Sequence, residues 1–292
     1  MPTVTKTALV AGRACDLRAY RGLIKGDRWS AAPPPPTGIL VEYRARHLAV
    51  SRVHRLWQRG GVLDAAALPD VWADAWRRSG GDDPPPPPEW LTWYTADNPF
   101  HLGVERQIVA CEETLRGVAL GRSWSARPDL LCIDRVGDGA IEALELSSAR
   151  TPTLDKVAVE QMAAIDLLVL TRSPAYALLP HRILVCGLET GRLYDVTPSR
   201  DHARDILHGI DAYLKDIEAR GCAWDEGGDT ALGRALATPS PDACGRCAYR
   251  GDCAYAWPSI GDGRDGADAA GGAAHDGWSP DGTYLTGTAR GR

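Results

Sequence analysis

The sequence predicts a mixed α/β fold: a mixed sheet flanked by helices, with a helical segment before it and a cysteine cluster after it. Three observations lead there. Between residues 105 and 220, short apolar runs and longer amphipathic stretches follow one another in the order strands, helix, strands, helix. Two proline runs, 31–37 and 82–89, punctuate the first third, where stiff extended chain borders helices and cannot lie inside them. Three cysteines, Cys244, Cys247 and Cys253, crowd into a polar, turn-rich stretch.

Leu40–Arg59 reads as a helix because Val41, Leu48, Val53, Leu56 and Trp57 give it an apolar side. A second helix is expected over Asp64–Arg78. Trp90 and Trp93 could stack on bases, but a core or interface role is the expectation for them. Gln107–Ala110 and Leu115–Ala119 read as strands, and Leu130–Ile133 and Ile141–Leu146 as short buried strands. Leu154–Thr171 is an amphipathic helix. Arg182–Gly187 and Arg192–Val196 are expected to pair as a hairpin across Glu189, Thr190 and Gly191. Asp201–Arg220 carries Ile206, Ile210, Tyr213 and Ile217 at helical spacing. After Ser259 the chain is rich in Gly, Ala and Asp, with too little apolar surface to offset the entropy of ordering, so a disordered tail is expected. The organisation this implies is a basic helical segment with proline spacers (1–104), a core with the cysteine cluster (105–258) and the tail (259–292).

The 292 residues are 44% hydrophobic and 24% charged, ordinary for a globular protein able to bury a proper core. No apolar run approaches the ~18 residues of a membrane-spanning helix. The N-terminus carries charges where a signal peptide needs an apolar run, which points to a cytoplasmic location with no membrane partner. There, eight cysteines argue for metal, cluster or core roles and against disulfides.

The net charge of −5 does not by itself suggest a nucleic-acid partner, but its distribution does. Residues 1–60 carry eleven Lys and Arg against three acids, a surplus of eight that leaves the remainder at −13. A basic segment on an acidic body suits a surface that contacts phosphates; the alternative is a solvated, arginine-rich helix face. Lysine is scarce: only Lys6, Lys25, Lys156 and Lys215 are present.

The three late cysteines have the spacing C-x2-C-x5-C and could ligate one metal centre if a fourth ligand closes it. Cys15 is the natural candidate. On spacing alone, zinc and an iron–sulfur cluster are equally served.

A second constellation is Pro128-Asp129-Leu130 followed by Glu145-Leu146-Ser147. Carboxylates at the start of one apolar strand and inside the next are costly unless paired or bound to metal, and together suit Mg²⁺ or Mn²⁺. Glu142 falls three residues from Glu145 and so on the opposite strand face.

On these residues the chain resembles the PD-(D/E)XK nuclease superfamily, in its RecB-like branch with a four-cysteine iron–sulfur cluster, which includes CRISPR-associated exonucleases and AddB-type nuclease domains. Pro128-Asp129 matches the PD element, Glu145-Leu146-Ser147 falls on the E-x-K element, and Gln161 matches the glutamine of the following helix. His54 matches a histidine on a helix ahead of the core, with His47 its main competitor. Cys15 with Cys244, Cys247 and Cys253 matches the split arrangement of one early and three late cysteines. The resemblance implies a restriction-endonuclease-like sheet and a 4Fe-4S cluster that joins the two chain ends. It implies Mn²⁺ or Mg²⁺ held by His54, Asp129, Glu145 and the carbonyl of Leu146. The implied substrate is DNA, single-stranded or with free ends, in DNA repair, CRISPR or phage defence, with room for a protein partner.

The chain departs from the pattern where the motif lysine should stand: position 147 is Ser147. Either the lysine's role has moved, with Lys156 the candidate and Arg150 a weaker one, or the site is degenerate and the chain is a DNA-binding or adaptor subunit.

Overall fold

In the computed structural model, residues 3–26, 38–147, 156–228, 230–240, 244, 247 and 253–256 are described. The first proline run, Arg150 and the tail lie outside them. The fold is mixed α/β, as the sequence predicts, with two mixed sheets and flanking helices.

The elements, in chain order, are β1 (Val4–Thr5), α1 (Lys6–Gly12), α2 (Asp16–Ala19), a π-helical turn (Tyr20–Lys25), α3 (Gly38–Gln58), α4 (Leu68–Arg78), α5 (Glu89–Asp97), β2 (Arg106–Cys111), β3 (Leu115–Ala119), β4 (Arg122–Ala126), β5 (Leu130–Asp134), β6 (Ile141–Ser147), α6 (Lys156–Arg172), β7 (His181–Gly187), β8 (Arg192–Asp195), α7 (Arg200–Gly227) and α8 (Thr230–Leu236). The described residues form two compact units, one within 3–6 and 38–210, the other within 7–26 and 211–256.

In the first unit a five-stranded sheet runs in the order β2-β5-β6-β7-β8, with β6 and β7 parallel and the other pairs antiparallel. One face is covered by a core in which Ala49, Val53 and Trp57 of α3, Val71 and Trp72 of α4, and Trp90 and Tyr94 of α5 meet Leu130, Leu144 and Leu184 of the strands. Arg46 lies over the ring of the buried Trp90 at 5.6 Å. Helix α6 packs against β7 and against a smaller sheet, β1-β4-β3. The β3–β4 hairpin turns through Leu120 and Gly121, both at positive φ (54° and 72°), the requirement of a type I′ turn.

Register explains why the carboxylates meet. Leu130 pairs with Leu144, so one step outward sets Asp129 opposite Glu145. Period-two alternation then sends Leu144 into the helical core, while Glu145 shares its face with Ala143 and Ser147. On the Leu144 side, Glu142 is fully buried and held by Arg106 (2.8 Å) and Arg182 (3.3 Å).

In the second unit Asp16 accepts hydrogen bonds from Tyr213 and Arg220, each at 2.8 Å, and Tyr20 donates to Asp225 at 2.9 Å. Gly221 lies against the Tyr20 ring so closely that any β-carbon would overlap it. Among the described residues no helix is long and apolar enough to cross a membrane.

Candidate active site and cysteine cavity

Four elements of the first unit deliver charged groups to the end of the β5–β6 pair, where Asp129 and Glu145 form a carboxylate edge across two inner strands of the sheet. Asp129 Oδ2 accepts a hydrogen bond from the Leu146 amide at 2.7 Å, which fixes its carboxylate beside β6. His47 of α3 places Nδ1 3.6 Å from Asp129 Oδ1. Asp166 projects from α6 and is fully buried. Lys6, immediately after β1, sends its ammonium between Glu145 and Asp166, bonding the first and lying 3.2 Å from both oxygens of the second. The two-residue β1 pairs with Trp124 and Ser125 of β4, and this pins residue 6 in place.

The electrostatics follow from burial and crowding. Burial raises the Glu145 carboxyl to about 8, and the charges of Asp166 and Asp129 add to the rise against the pull of Lys6. Asp166 is pushed up by burial too. One ammonium cannot neutralise three carboxylates in so dry a place, and Lys6 itself is held charged because its acidic neighbours outweigh its desolvation. Burial works against ionised Asp129, but His47, the Leu146 amide and Lys6 prevail and lower it. Burial likewise opposes charge on His47, and Asp129 overcomes it and raises the imidazole. The site is partly open: side-chain exposures are 19% for Asp129, 21% for Glu145 and 30% for His47.

Of the residues read from the sequence, Asp129, Glu145 and Leu146 come together, and Ser147 lies on the same strand face as Glu145. His54 turns into the core, near enough to Asp129 to feel its charge but hydrogen-bonded to Tyr94. It is 1% exposed, its Nε2 is 2.6 Å from the Tyr94 hydroxyl, and Trp57 packs on its ring. Burial lowers its basicity to about 3, so the ring is neutral. Seven residues turn a helix to within about 20° of two full turns, so His47 and His54 lie on similar sides about 10 Å apart along the axis, and it is His47 that reaches Asp129. Lys156 is not brought to the carboxylates either: it is 86% exposed and lies 3.8 Å from Glu160. Gln161 has a buried Oε1 with no hydrogen-bond partner among the described residues.

Lys6 and Asp166 are functional candidates that the sequence reading missed. Asp166 had a signal, a carboxylate inside the apolar run Ala163–Leu170 of a helix. Lys6 had none, because its partners lie 139 and 160 residues away.

Among the described residues no three His, Cys, Asp or Glu side chains are grouped so as to hold a metal ion. At the carboxylate edge the Lys6 ammonium takes up oxygens of Glu145 and Asp166 that an ion would need. The donor chemistry does suit a hard cation, with carboxylate oxygens in excess over the one ammonium.

In the second unit, Cys15, Cys244, Cys247 and Cys253 line one cavity of about 30 Å³. Burial raises the Cys253 thiol, and the nearness of the other three adds to the rise. Cys132 and Cys186 are fully buried in the core of the first unit, as small apolar residues.

No protein-family model matches the chain, and no curated protein matches it. Its fold is similar to the crystal structure of a Eubacterium rectale protein named "Putative exonuclease", with 11% sequence identity over 74% of this chain and 79% of that one, and a TM-score of 0.41. A likeness of that size bears on neither chemistry nor substrate.

Proposed function

We propose that the chain is a Mg²⁺- or Mn²⁺-dependent nuclease that cuts DNA, single-stranded or with free ends. The observation that carries this reading is the pair Asp129 and Glu145, opposed on adjacent strands at a partly open edge, with the buried Lys6 ammonium against Glu145. Asp129, Glu145 and the Leu146 carbonyl, with His47 beside them, would hold the divalent ion; when bound, such an ion lowers the pKa of a water and neutralises charge on a phosphate. Lys6 supplies the positive charge that position 147 lacks, and it would meet the charge that develops on a phosphate oxygen. The Leu146 amide and His47 keep Asp129 ionised and oriented. The four cysteines at one cavity support a 4Fe-4S cluster, a fold-holding part of the second unit with no role in the cut.

The test is cleavage of end-labelled single- and double-stranded DNA with Mn²⁺, on protein purified without oxygen. Asp129→Ala is expected to abolish cutting and leave the cysteine centre intact; cutting that survives it defeats the assignment. One observation favours a second reading, a non-cutting DNA-binding or adaptor subunit: Lys6 already satisfies Glu145 and Asp166 as a cation would. Wild-type protein that binds DNA in a salt-dependent manner and never cuts would establish it.

A further inference from the structure

A row of residues along α3 leads away from the carboxylates. Tyr43, His47, Ser51, Arg55 and Arg59 recur at every fourth position, each next to the last, in a stripe that winds about 40° per step around the helix and its end. His47 faces Asp129; one turn on, Ser51 donates to Glu112 at 2.6 Å; one turn further, Arg55 lies 3.7 Å from the same Glu112. The later part of this row forms a wall of a groove of about 490 Å³ between α3, α4 and the segment that joins them. Its floor is apolar, with Leu48, Leu56, Leu63 and Val71. Its rim carries Arg52, Arg55, Arg59 and Arg78. Asp74 and Glu112 are the only acids in the lining, and Asp74 is shared between Arg52 (3.2 Å) and Arg78 (3.8 Å). The rim therefore keeps a surplus of positive charge on a chain whose net charge is −5. Arg52, Arg55 and Arg78 are each more than half exposed, and such water-screened ion pairs are weak enough for a phosphate to compete with Asp74 and Glu112 for the guanidinium groups.

We propose that this groove is a subsite for a single nucleic-acid strand, with phosphates on the arginine rim and bases against the apolar floor, continuous along the α3 row with the Asp129–Glu145 edge. The proposal rests on the nuclease reading in so far as it makes this strand that site's substrate. An arginine rim over an apolar floor suits a ligand that is both anionic and flat-faced, since guanidinium groups pair with phosphate and stack on bases. It also suits strand over duplex, because in a duplex the base faces are stacked away. From His47 to Arg59 the row advances about 18 Å, at 1.5 Å per residue. At about 3.4 Å per stacked nucleotide, that is room for about five nucleotides.

The test is fluorescence anisotropy of a labelled single-stranded oligonucleotide on the full chain in EDTA, over a series of salt concentrations. Arg55→Ala/Arg59→Ala is expected to weaken binding and to reduce the slope of log affinity against log salt by about 1.4, two lost phosphate contacts. Ala67→Trp, which fills the groove without changing charge, is expected to weaken binding several-fold with the slope unchanged. Arg192→Ala, at an exposed position on β8, is expected to have no effect. Unfolding midpoints establish that each variant is folded. Unchanged affinity and slope in the double variant would overturn the proposal, as would displacement of the oligonucleotide by polyglutamate as readily as by unlabelled strand. Because no metal is present, the outcome is independent of cutting. A wild type that binds through the groove and never cuts defeats the nuclease reading alone; a wild type that cuts while the double variant binds and cuts with unchanged KM defeats the groove alone.

Discussion

Replacing Lys6 with Met should destabilise the protein severely, and the loss should depend on pH. The side chain is 9% exposed, so the substitution strips the compensating charge from the fully buried Asp166 and from Glu145, which is 21% exposed. Coulomb's law at an effective dielectric of about 20 gives about 5 kcal/mol for unit charges 3.2 Å apart, and breaking a buried pair by removing one partner costs about 3–5 kcal/mol. With urea slopes of about 1–3 kcal/mol per molar, the midpoint should fall by about 1–5 M at pH 8. Without Lys6, the group that pulls Glu145 and Asp166 down is gone, and both rise further above their unfolded-state values. A raised carboxyl contributes stability that is fully present below its unfolded pKa and lost as pH rises through the folded one, by up to about 1.4 kcal/mol per pH unit for each group. The deficit should therefore shrink at pH 5, and Lys6→Met/Asp166→Leu should recover part of it. Tryptophan fluorescence in urea at pH 5 and 8 measures this. Equal midpoints for variant and wild type at pH 8, or a deficit no smaller at pH 5, would refute the reasoning.

Three further expectations follow from the same geometry. Glu145 stands at about 8 when folded, so metal-free wild type should lose stability as pH rises from about 5 to 8, and Mn²⁺ should raise the unfolding temperature more at pH 8 than at pH 5; a shift equal at both, or none, counts against a cation site at Glu145. His47→Ala should weaken that Mn²⁺ shift, whereas Tyr94→Phe, which leaves the buried His54 ring without its partner, should cost about 1–3 kcal/mol in stability and leave the Mn²⁺ shift intact; the reverse pattern would restore His54 as the ligand. Protein purified without oxygen should be brown and contain iron and sulfide, and Cys244→Ala should lose both; colourless protein with one zinc would replace the cluster with a structural zinc.

What could be read from the sequence was whatever depends on neighbours along the chain. Alternation and periodicity located β5, β6, α3 and α6, and apolar flanks marked Asp129 and Glu145 as carboxylates needing a partner. The β4 strand escaped because its hairpin turns on Leu120 and Gly121, not on the Asn-Gly or Asp-Gly pair that announces such turns. Helix α5 escaped because it starts directly on the second proline run, with Pro88 as its N-cap residue in extended conformation. His47 and His54 lie on one helix about two turns apart, and nothing in the local pattern says that His54 packs inward on Tyr94 and Trp57 while His47 lies beside Asp129. Asp166 was legible in principle; Lys6 was not, since nothing near residue 6 hints at a carboxylate more than a hundred residues on.

The two-residue strand before Lys6 has a consequence for the order in which the molecule is made. The lysine leaves the ribosome 139 residues ahead of Glu145 and 160 ahead of Asp166. Contacts of such span close only after the loop entropy between them has been overcome, so helices α3 and α4, neighbours in sequence, should be in place well before the ion triad. The centre is thus a late event in folding, and a refolding experiment should show α-helical signal returning ahead of whatever depends on residue 6.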